Sequence, residues 1–131
     1  MTIGNSIEDM SHLCSDFHNF FADAKLKSSI IYALDLALEE MITNIIKYGY
    51  DDRREHAIKV VVDIAGEAVY MLIEDDGHEF DPLSQNSPEL DVDIADRQIG
   101  GVGIFLTLNM VNEINYSRED NKNKLRITVN L

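Results

Sequence analysis

The stretch LALEEMITNIIKYGYDD, residues 36–52, decides how this chain is organised. It begins as a strongly apolar helical pattern and then places Glu40, Asn44 and Lys47 at spacings of four and three. At about 100° per residue, these three side chains lie within about 60° of one another along one line of the helix. The same line is apolar one to two turns earlier. A polar line there indicates a partly covered cleft, whereas on an ordinary helix it would be a solvated face.

Length and composition favour one soluble domain. With 131 residues, the chain can bury roughly two-thirds of the surface that its unfolded form exposes, so it needs no disulfide or metal to fold. We therefore expect a single domain over residues 1–131. The one cysteine, Cys14, cannot form an intramolecular bridge, which favours a reducing, cytoplasmic location.

The charge balance is strongly acidic, with 11 Lys plus Arg, 24 Asp plus Glu and a formal net charge of −13. Such a chain repels phosphate backbones and anionic lipid, so we expect neither nucleic acid nor a membrane as a partner. No signal peptide is visible, and no window approaches the ~18 apolar residues that span a bilayer. A phosphate ligand would need backbone amides, one or two cations and a divalent metal.

Two helices and a hairpin are predicted in the first half of the chain. Apolar residues recur every three or four positions over about residues 6–24, with Ser6 as the expected N-cap, and again over residues 28–48, where Gly49 is a natural stop. Two β-branched runs follow, AIKVVVDIA and AVYMLIEDD. The Gly66-Glu67 pair between them predicts a tight turn.

The second half contains a long loop and a second hairpin. Residues 77–100 hold both prolines and many acids without a sustained period, and long loops inside compact domains are usually functional. A third helical pattern follows, and then a closing hairpin with a polar turn at residues 120–123. The order of elements predicts an α/β (α+β) two-layer sandwich, a mostly antiparallel mixed sheet covered on one face by three helices.

Two further segments could contact a ligand. In LIEDDGHEFDP, residues 72–82, Asp75 ends a strand and precedes Gly77, which could take a positive φ and let a flat ligand approach. In IGGVGIF, residues 99–105, three glycines directly precede a helix, where free N–H groups and the helix dipole favour phosphate. Each segment alone is more often a plain turn than a ligand site. Signatures of a Walker loop, of a nucleophilic serine and of a zinc site are missing.

Taken in order, the motifs Glu40-x-x-x-Asn44, Asp75-x-Gly77 and, after a long loop, Gly101-x-Gly103 resemble the N-box and the two glycine boxes of the Bergerat-fold ATPases. Within that group, EEMITNIIKYGY, DDGHEFDP and GGVGIFLTLNMVNEINYSREDNKNKL are most similar to the small anti-sigma factor serine kinases of bacterial partner-switching systems. The resemblance covers about residues 7–130. It implies a histidine-kinase-like ATPase domain of Bergerat fold that binds ATP or ADP with Mg²⁺.

The resemblance also implies roles for single residues. Asn44 would coordinate the Mg²⁺ that bridges the phosphates, and Glu40 would act as general base on the attacking hydroxyl. Asp75 would accept a hydrogen bond from the adenine amino group, and Gly77 would make room for the ring. The remaining positions would bind or cover the phosphates: Lys47, Gly100, Gly101, Gly103 and a lid at about residues 81–100.

The function implied by the resemblance is an ATP-dependent protein serine/threonine kinase. It would phosphorylate a small anti-sigma factor antagonist and, in its other binding state, sequester a sigma factor, as a homodimer. The alternative is a nucleotide-gated binding module with little or no kinase activity; retention of both Glu40 and Asn44 favours the enzyme. An interaction domain without nucleotide would require three coincidences among the motifs.

Two departures from the pattern of these kinases are visible. Tyr48 stands where they commonly have a histidine. The strand that precedes their first helix is hardly visible in residues 1–6.

Overall fold

The computed structural model describes residues 2–4, 6–50, 52, 56–84 and 106–131. Its elements are β1 (Thr2–Gly4), α1 (Ile7–Ala22), α2 (Ser28–Tyr48), β2 (Ala57–Ala65), β3 (Ala68–Asp75), a 3₁₀ turn (Pro82–Ser84), a helical segment α3 at residues 106–110, β4 (Glu113–Glu119) and β5 (Lys122–Asn130). Ser6 caps α1 as predicted, because its side chain accepts a hydrogen bond from the Asp9 amide. Apart from β1, the order of these elements is the predicted one.

The five strands form one sheet in the order β1-β2-β3-β5-β4, and every neighbouring pair in it is antiparallel. Strand β1 corrects the sequence analysis. Thr2 pairs with Lys59 and Gly4 with Ala57, so a segment with hardly any strand signal forms the edge of the sheet. Three residues are too few for an alternating pattern to be recognised, and only the pairing with β2 reveals the strand.

The two hairpins differ in how well the sequence located them. Gly66 takes a φ of 60° between β2 and β3, as predicted. In the closing hairpin, Asp120 and Asn121 take φ values of 54° and 61°, which are the two left-handed positions of a type I′ turn. The predicted turn at residues 120–123 is therefore too long, and Asn123 belongs to β5, opposite Asp75 on β3.

The core lies between one face of the sheet and the helices. Its large buried side chains come from both helices and from three strands: Leu13, Phe17, Leu34, Leu38, Ile42, Ile58, Val60, Met71, Ile73 and Ile127. Leu108 of α3 and Val111, just after it, pack against this cluster. The predicted two-layer architecture, with three helical segments on one sheet face, is thereby confirmed. None of the helices in the described ranges is long and apolar enough to cross a membrane.

Candidate functional site

Helix α2 brings the first motif to the edge of the core. Asn44 is only 6% exposed, whereas Glu40 is half-buried and Lys47 is exposed. The Nδ2 atom of Asn44 is buried and has no hydrogen-bond partner in the described part of the chain. Leaving a buried polar group unpaired costs about 1–3 kcal/mol. A polar group of a ligand would remove that cost, so Asn44 is a candidate binding position.

Strand β3 brings the second motif to the same region. Asp75 is its last residue and is 5% exposed. Its Oδ1 accepts hydrogen bonds from the Gly77 amide at 2.9 Å and from Nδ2 of Asn123 at 3.0 Å. Burial raises the pKa of this carboxyl, while these two hydrogen bonds lower it. Among the described residues no group donates to Oδ2, so this oxygen has the capacity to accept a further hydrogen bond.

Asn44 and Asp75 line one cavity between α2 and the sheet. The other lining residues are mostly apolar: Met41, Ile45, Gly49, Ile73, His78, Phe80, Pro82, Tyr116, Asn123 and Leu125. An apolar cavity with a few buried polar groups is the usual form of a small-molecule site. The structure thus brings together two of the predicted site residues, whereas Glu40, Lys47 and Gly77 do not line this cavity.

The structure gives a different reason for a glycine at position 77 from the one that the sequence predicted. Its φ is outside the left-handed region, which only Gly66 occupies among the glycines of the described ranges. A Cβ atom on Gly77 would instead clash with the Gly49 carbonyl oxygen and lie 2.9 Å from Oδ1 of Asp75. The predicted positive φ is therefore wrong, because the close approach at Gly77 is to the backbone that follows α2.

The end of α2 and the loop after β3 are joined by hydrogen bonds. The His78 amide donates to the Gly49 carbonyl oxygen at 2.9 Å, and Nε2 of its ring is bonded to the Tyr48 carbonyl oxygen. On the other side of the loop, Nη1 of Arg118 donates to the Gly77 carbonyl oxygen at 2.7 Å. The Tyr48 side chain itself is 49% exposed. Tyr48, which stands where the similar kinases commonly have a histidine, therefore contacts the site through its main-chain carbonyl oxygen.

Asn123 is the site residue that the sequence analysis missed. It is 6% exposed, lines the cavity and bonds to Asp75. A signal was available, because Asn123, Leu125, Ile127 and Val129 alternate along β5 and all four face the core. A polar residue at the first position of that apolar series needs a buried polar partner.

Glu40 and its neighbours set the electrostatics on α2. Burial raises the pKa of the Glu40 carboxyl, and the charge of Glu39 raises it further, whereas Lys47 lowers it. Within the described ranges, no group of three or more His, Cys, Asp and Glu residues could hold a metal ion. A Mg²⁺ ion at Asn44 would take its further ligands from water and from the phosphate oxygens of a nucleotide.

The third motif lies outside the described residues. This applies to Gly100, Gly101 and Gly103, and to the predicted lid beyond residue 84. The first residues of the lid form the 3₁₀ turn at Pro82–Ser84, and Pro82 lines the cavity. The roles assigned to the glycines remain predictions.

Known proteins match this chain over most of its length. A family profile described as Histidine kinase-like ATPase domain matches residues 3–129. The chain is 29% identical over 97 residues to the serine/threonine-protein kinase BtrW of Bordetella bronchiseptica, which covers 74% of this chain and 68% of that protein. It is 28% identical over 91 residues to the anti-sigma F factor of Clostridium novyi, covering 70% of this chain and 63% of that protein.

Two solved structures have a similar fold. The histidine kinase domain of the blue-light activated histidine kinase from Erythrobacter litoralis EL346 superposes with a TM-score of 0.61 at 15% identity, over 95% of this chain and 60% of that chain. The Acinetobacter baumannii histidine kinase AdeS gives a TM-score of 0.53 at 14% identity, over 99% of this chain and 67% of that chain. At these identities the likeness concerns the fold alone, and it confirms the predicted Bergerat-type α/β architecture.

Proposed function

Because this chain belongs to the family of histidine kinase-like ATPase domains, we propose that it is an ATP-dependent protein serine/threonine kinase that phosphorylates a small anti-sigma factor antagonist. In its other binding state it sequesters a sigma factor. The likeness to one protein named a serine/threonine kinase and to another named an anti-sigma factor supports both parts. The observation that carries the proposal is the cavity lined by Asn44, whose Nδ2 has no partner among the described residues, and by the buried carboxylate of Asp75. The same proposal includes that the protein forms a homodimer and is located in the cytoplasm.

The apolar end of the cavity suits an adenine ring. Ile73 and Leu125 line it beside Asp75, so a flat ring would be buried against aliphatic side chains with its polar edge toward the carboxylate. Oδ2 of Asp75 would accept a hydrogen bond from the adenine amino group, because an ionised carboxylate can only accept. Gly77 lies two residues along the chain and would act indirectly, through the hydrogen bond from its amide to Oδ1 of Asp75.

The α2 side of the site would hold the phosphates. Asn44 would ligate Mg²⁺ through its amide oxygen, and Lys47, Gly100, Gly101 and Gly103 would contact phosphate oxygens. When bound, Mg²⁺ neutralises charge on the phosphates and orients them. A chain with a net charge of −13 needs such local compensation to bind an anionic nucleotide.

Glu40 would accept the proton of the attacking serine or threonine hydroxyl. It lies one helical turn before Asn44, on the half-buried part of the same face. A general base works best when its pKa approaches the working pH. Burial of Glu40 and the charge of Glu39 shift its pKa in that direction.

The experiment compares two substitutions that should fail differently. Glu40→Gln keeps the size of the side chain but removes its basicity, so it should retain ATP affinity and lose about 10²- to 10⁴-fold in phosphoryl transfer. Asn44→Ala should lose the Mg²⁺-dependent part of ATP affinity as well as turnover. Glu67→Gln makes the same change at an exposed position in the turn between β2 and β3 and should retain both activities. Isothermal titration with and without Mg²⁺ measures affinity, and labelled phosphate on the antagonist measures turnover.

Two results would change the proposal. If Glu40→Gln phosphorylates the antagonist as fast as the unmodified protein, Glu40 is not the base. If the unmodified protein binds ATP tightly yet phosphorylates no antagonist, a nucleotide-gated binding module is the better description. A small antagonist protein, sought among the proteins encoded near this one, would be the first substrate to test.

A further inference from the structure

Asn123 makes four hydrogen bonds with its side-chain amide. Nδ2 donates to Oδ1 of Asp75 at 3.0 Å and to the His78 carbonyl oxygen at 2.8 Å. Oδ1 accepts from the Tyr116 hydroxyl at 2.6 Å and from the Phe80 amide at 3.4 Å. A flipped amide would place a donor against donors and an acceptor against acceptors. The orientation of Asn123 is therefore determined by its surroundings.

This network fixes the orientation of Asp75. Its Oδ1 accepts hydrogen bonds from the Asn123 amide and the Gly77 amide, and no described residue donates to Oδ2. The hydrogen bond from Asn123 also stabilises the ionised form of the carboxyl, against the effect of burial. The same amide holds the His78 carbonyl oxygen and so positions the loop that brings Phe80 to the cavity wall.

We propose that Asn123 is the positioning residue that makes this site select a purine with an amino group at position 6 over a purine with a carbonyl oxygen there. This inference rests on the proposed nucleotide function. Both donors and the acceptor of the Asn123 amide are already used within the protein, so Asn123 acts through Asp75 and does not contact the base itself. A carboxylate held as an acceptor pairs with an amino group and repels the lone pairs of a carbonyl oxygen.

The test compares ATP with ITP, which carries a carbonyl oxygen in place of the amino group at position 6. In the unmodified protein the Kd for ITP should exceed that for ATP about tenfold or more, the usual effect of a mispaired buried polar group. In Asn123→Leu the ratio of the two Kd values should fall toward one, because Asp75 loses a donor that holds it as an acceptor. Asn130→Leu makes the same change at an exposed position of the same strand and should keep the ratio. A ratio measured within one protein is unaffected by a general loss of stability.

A second variant keeps the shape of the network. In Asn123→Asp, a new carboxylate faces Asp75 in place of the Nδ2 donor of Asn123. The two carboxyl groups can form a hydrogen bond only while they share a proton. ATP affinity should therefore be retained at low pH and lost as the pair gives up its proton at higher pH. The other groups whose charges act on Asp75, namely Asp76, Arg118 and Tyr50, are the same in all variants. The unmodified protein and Asn130→Asp should not show this loss over the same interval.

The outcomes separate this inference from the proposed function. If the unmodified protein prefers ATP and Asn123→Leu keeps the same ratio, the inference is wrong while the nucleotide function stands. If the unmodified protein binds neither ATP nor ITP, the proposed function is wrong and the inference falls with it. Should Asn123→Leu fail to fold, Asn123→Asp decides alone, and a pH profile equal to that of Asn130→Asp overturns the role of Asn123.

Discussion

Replacing Asp75 by asparagine should weaken ATP binding and leave the folded protein at least as stable as before. The two side chains have nearly the same shape, so packing at this 5% exposed position is kept. The asparagine oxygen can replace Oδ1 and still accept from the Gly77 amide and from Asn123. Its NH₂ group then occupies the position of Oδ2 and faces the adenine amino group, donor against donor.

The size of the effect follows from that mismatch. An unpaired buried polar group costs about 1–3 kcal/mol, so the Kd for ATP should rise about 5- to 150-fold. Stability should move the other way. Burial raises the pKa of Asp75 in the folded state above its ordinary value of 3.8, so the folded state binds this proton more tightly than the unfolded state. The stability of the unmodified protein therefore falls as pH rises from 3.8 through the raised pKa of Asp75. Above this interval Asp75 is a buried charge, and Asp75→Asn avoids the free-energy cost of burying it.

Two measurements on the same samples test this prediction. Isothermal titration with ATP and Mg²⁺ gives the Kd, and thermal denaturation at pH 7 without nucleotide gives the Tm. Asp63→Asn is the matched control, since it makes the same change at an exposed position on β2 and should alter neither value much. Unchanged ATP affinity in Asp75→Asn would refute the placement of adenine. A large fall in Tm would indicate that affinity is lost because the fold is damaged.

Three further predictions concern stability. Gly66→Asn should change the free energy of unfolding little, because asparagine tolerates the φ of 60° and a Cβ at position 66 meets nothing within 4 Å. Gly77→Asn should lower the free energy of unfolding by about 1–3 kcal/mol, because its Cβ would clash with the Gly49 backbone. Equal urea midpoints for the two variants would contradict this prediction. Leu38→Ala should cost about 2–5 kcal/mol in the same assay, since Leu38 is 0% exposed, and a loss well below that range would place it outside the core. The hydrogen bond with Asp52 is the main cause that raises the pKa of His56 above 6.5. Protonated His56 therefore stabilises the fold fully below pH 6.5, and this stabilisation is lost as pH rises through the raised pKa. Thermal denaturation across this interval should show a smaller pH dependence in His56→Gln, and identical profiles would refute the assignment.

Much of the fold could be predicted because its signals are local. The period of 3.6 over residues 28–48 predicted α2 with its observed bounds, and the Gly66-Glu67 pair located the first hairpin. The order of helices and strands then left few ways to cover one sheet face. The same local reasoning placed Asn44 and Asp75 at element positions that do meet at one cavity.

By itself, the sequence determined the helices, the long strands and two of the residues that line the cavity, because periodicity and turn chemistry act over a few neighbouring residues. Only the tertiary structure decided that residues 2–4 form an edge strand, that Gly77 packs against the backbone after α2, and that Asn123 belongs beside Asp75. Asn123 and Asp75 are 48 positions apart in the chain. Their hydrogen bond depends on the register of β3 against β5, and the tight two-residue turn at Asp120 and Asn121 is what includes Asn123 in that strand. Register is set by how the apolar faces of both strands pack under the helices. The alternation along β5 shows that Asn123 faces the core, but no local pattern identifies Asp75 as its partner.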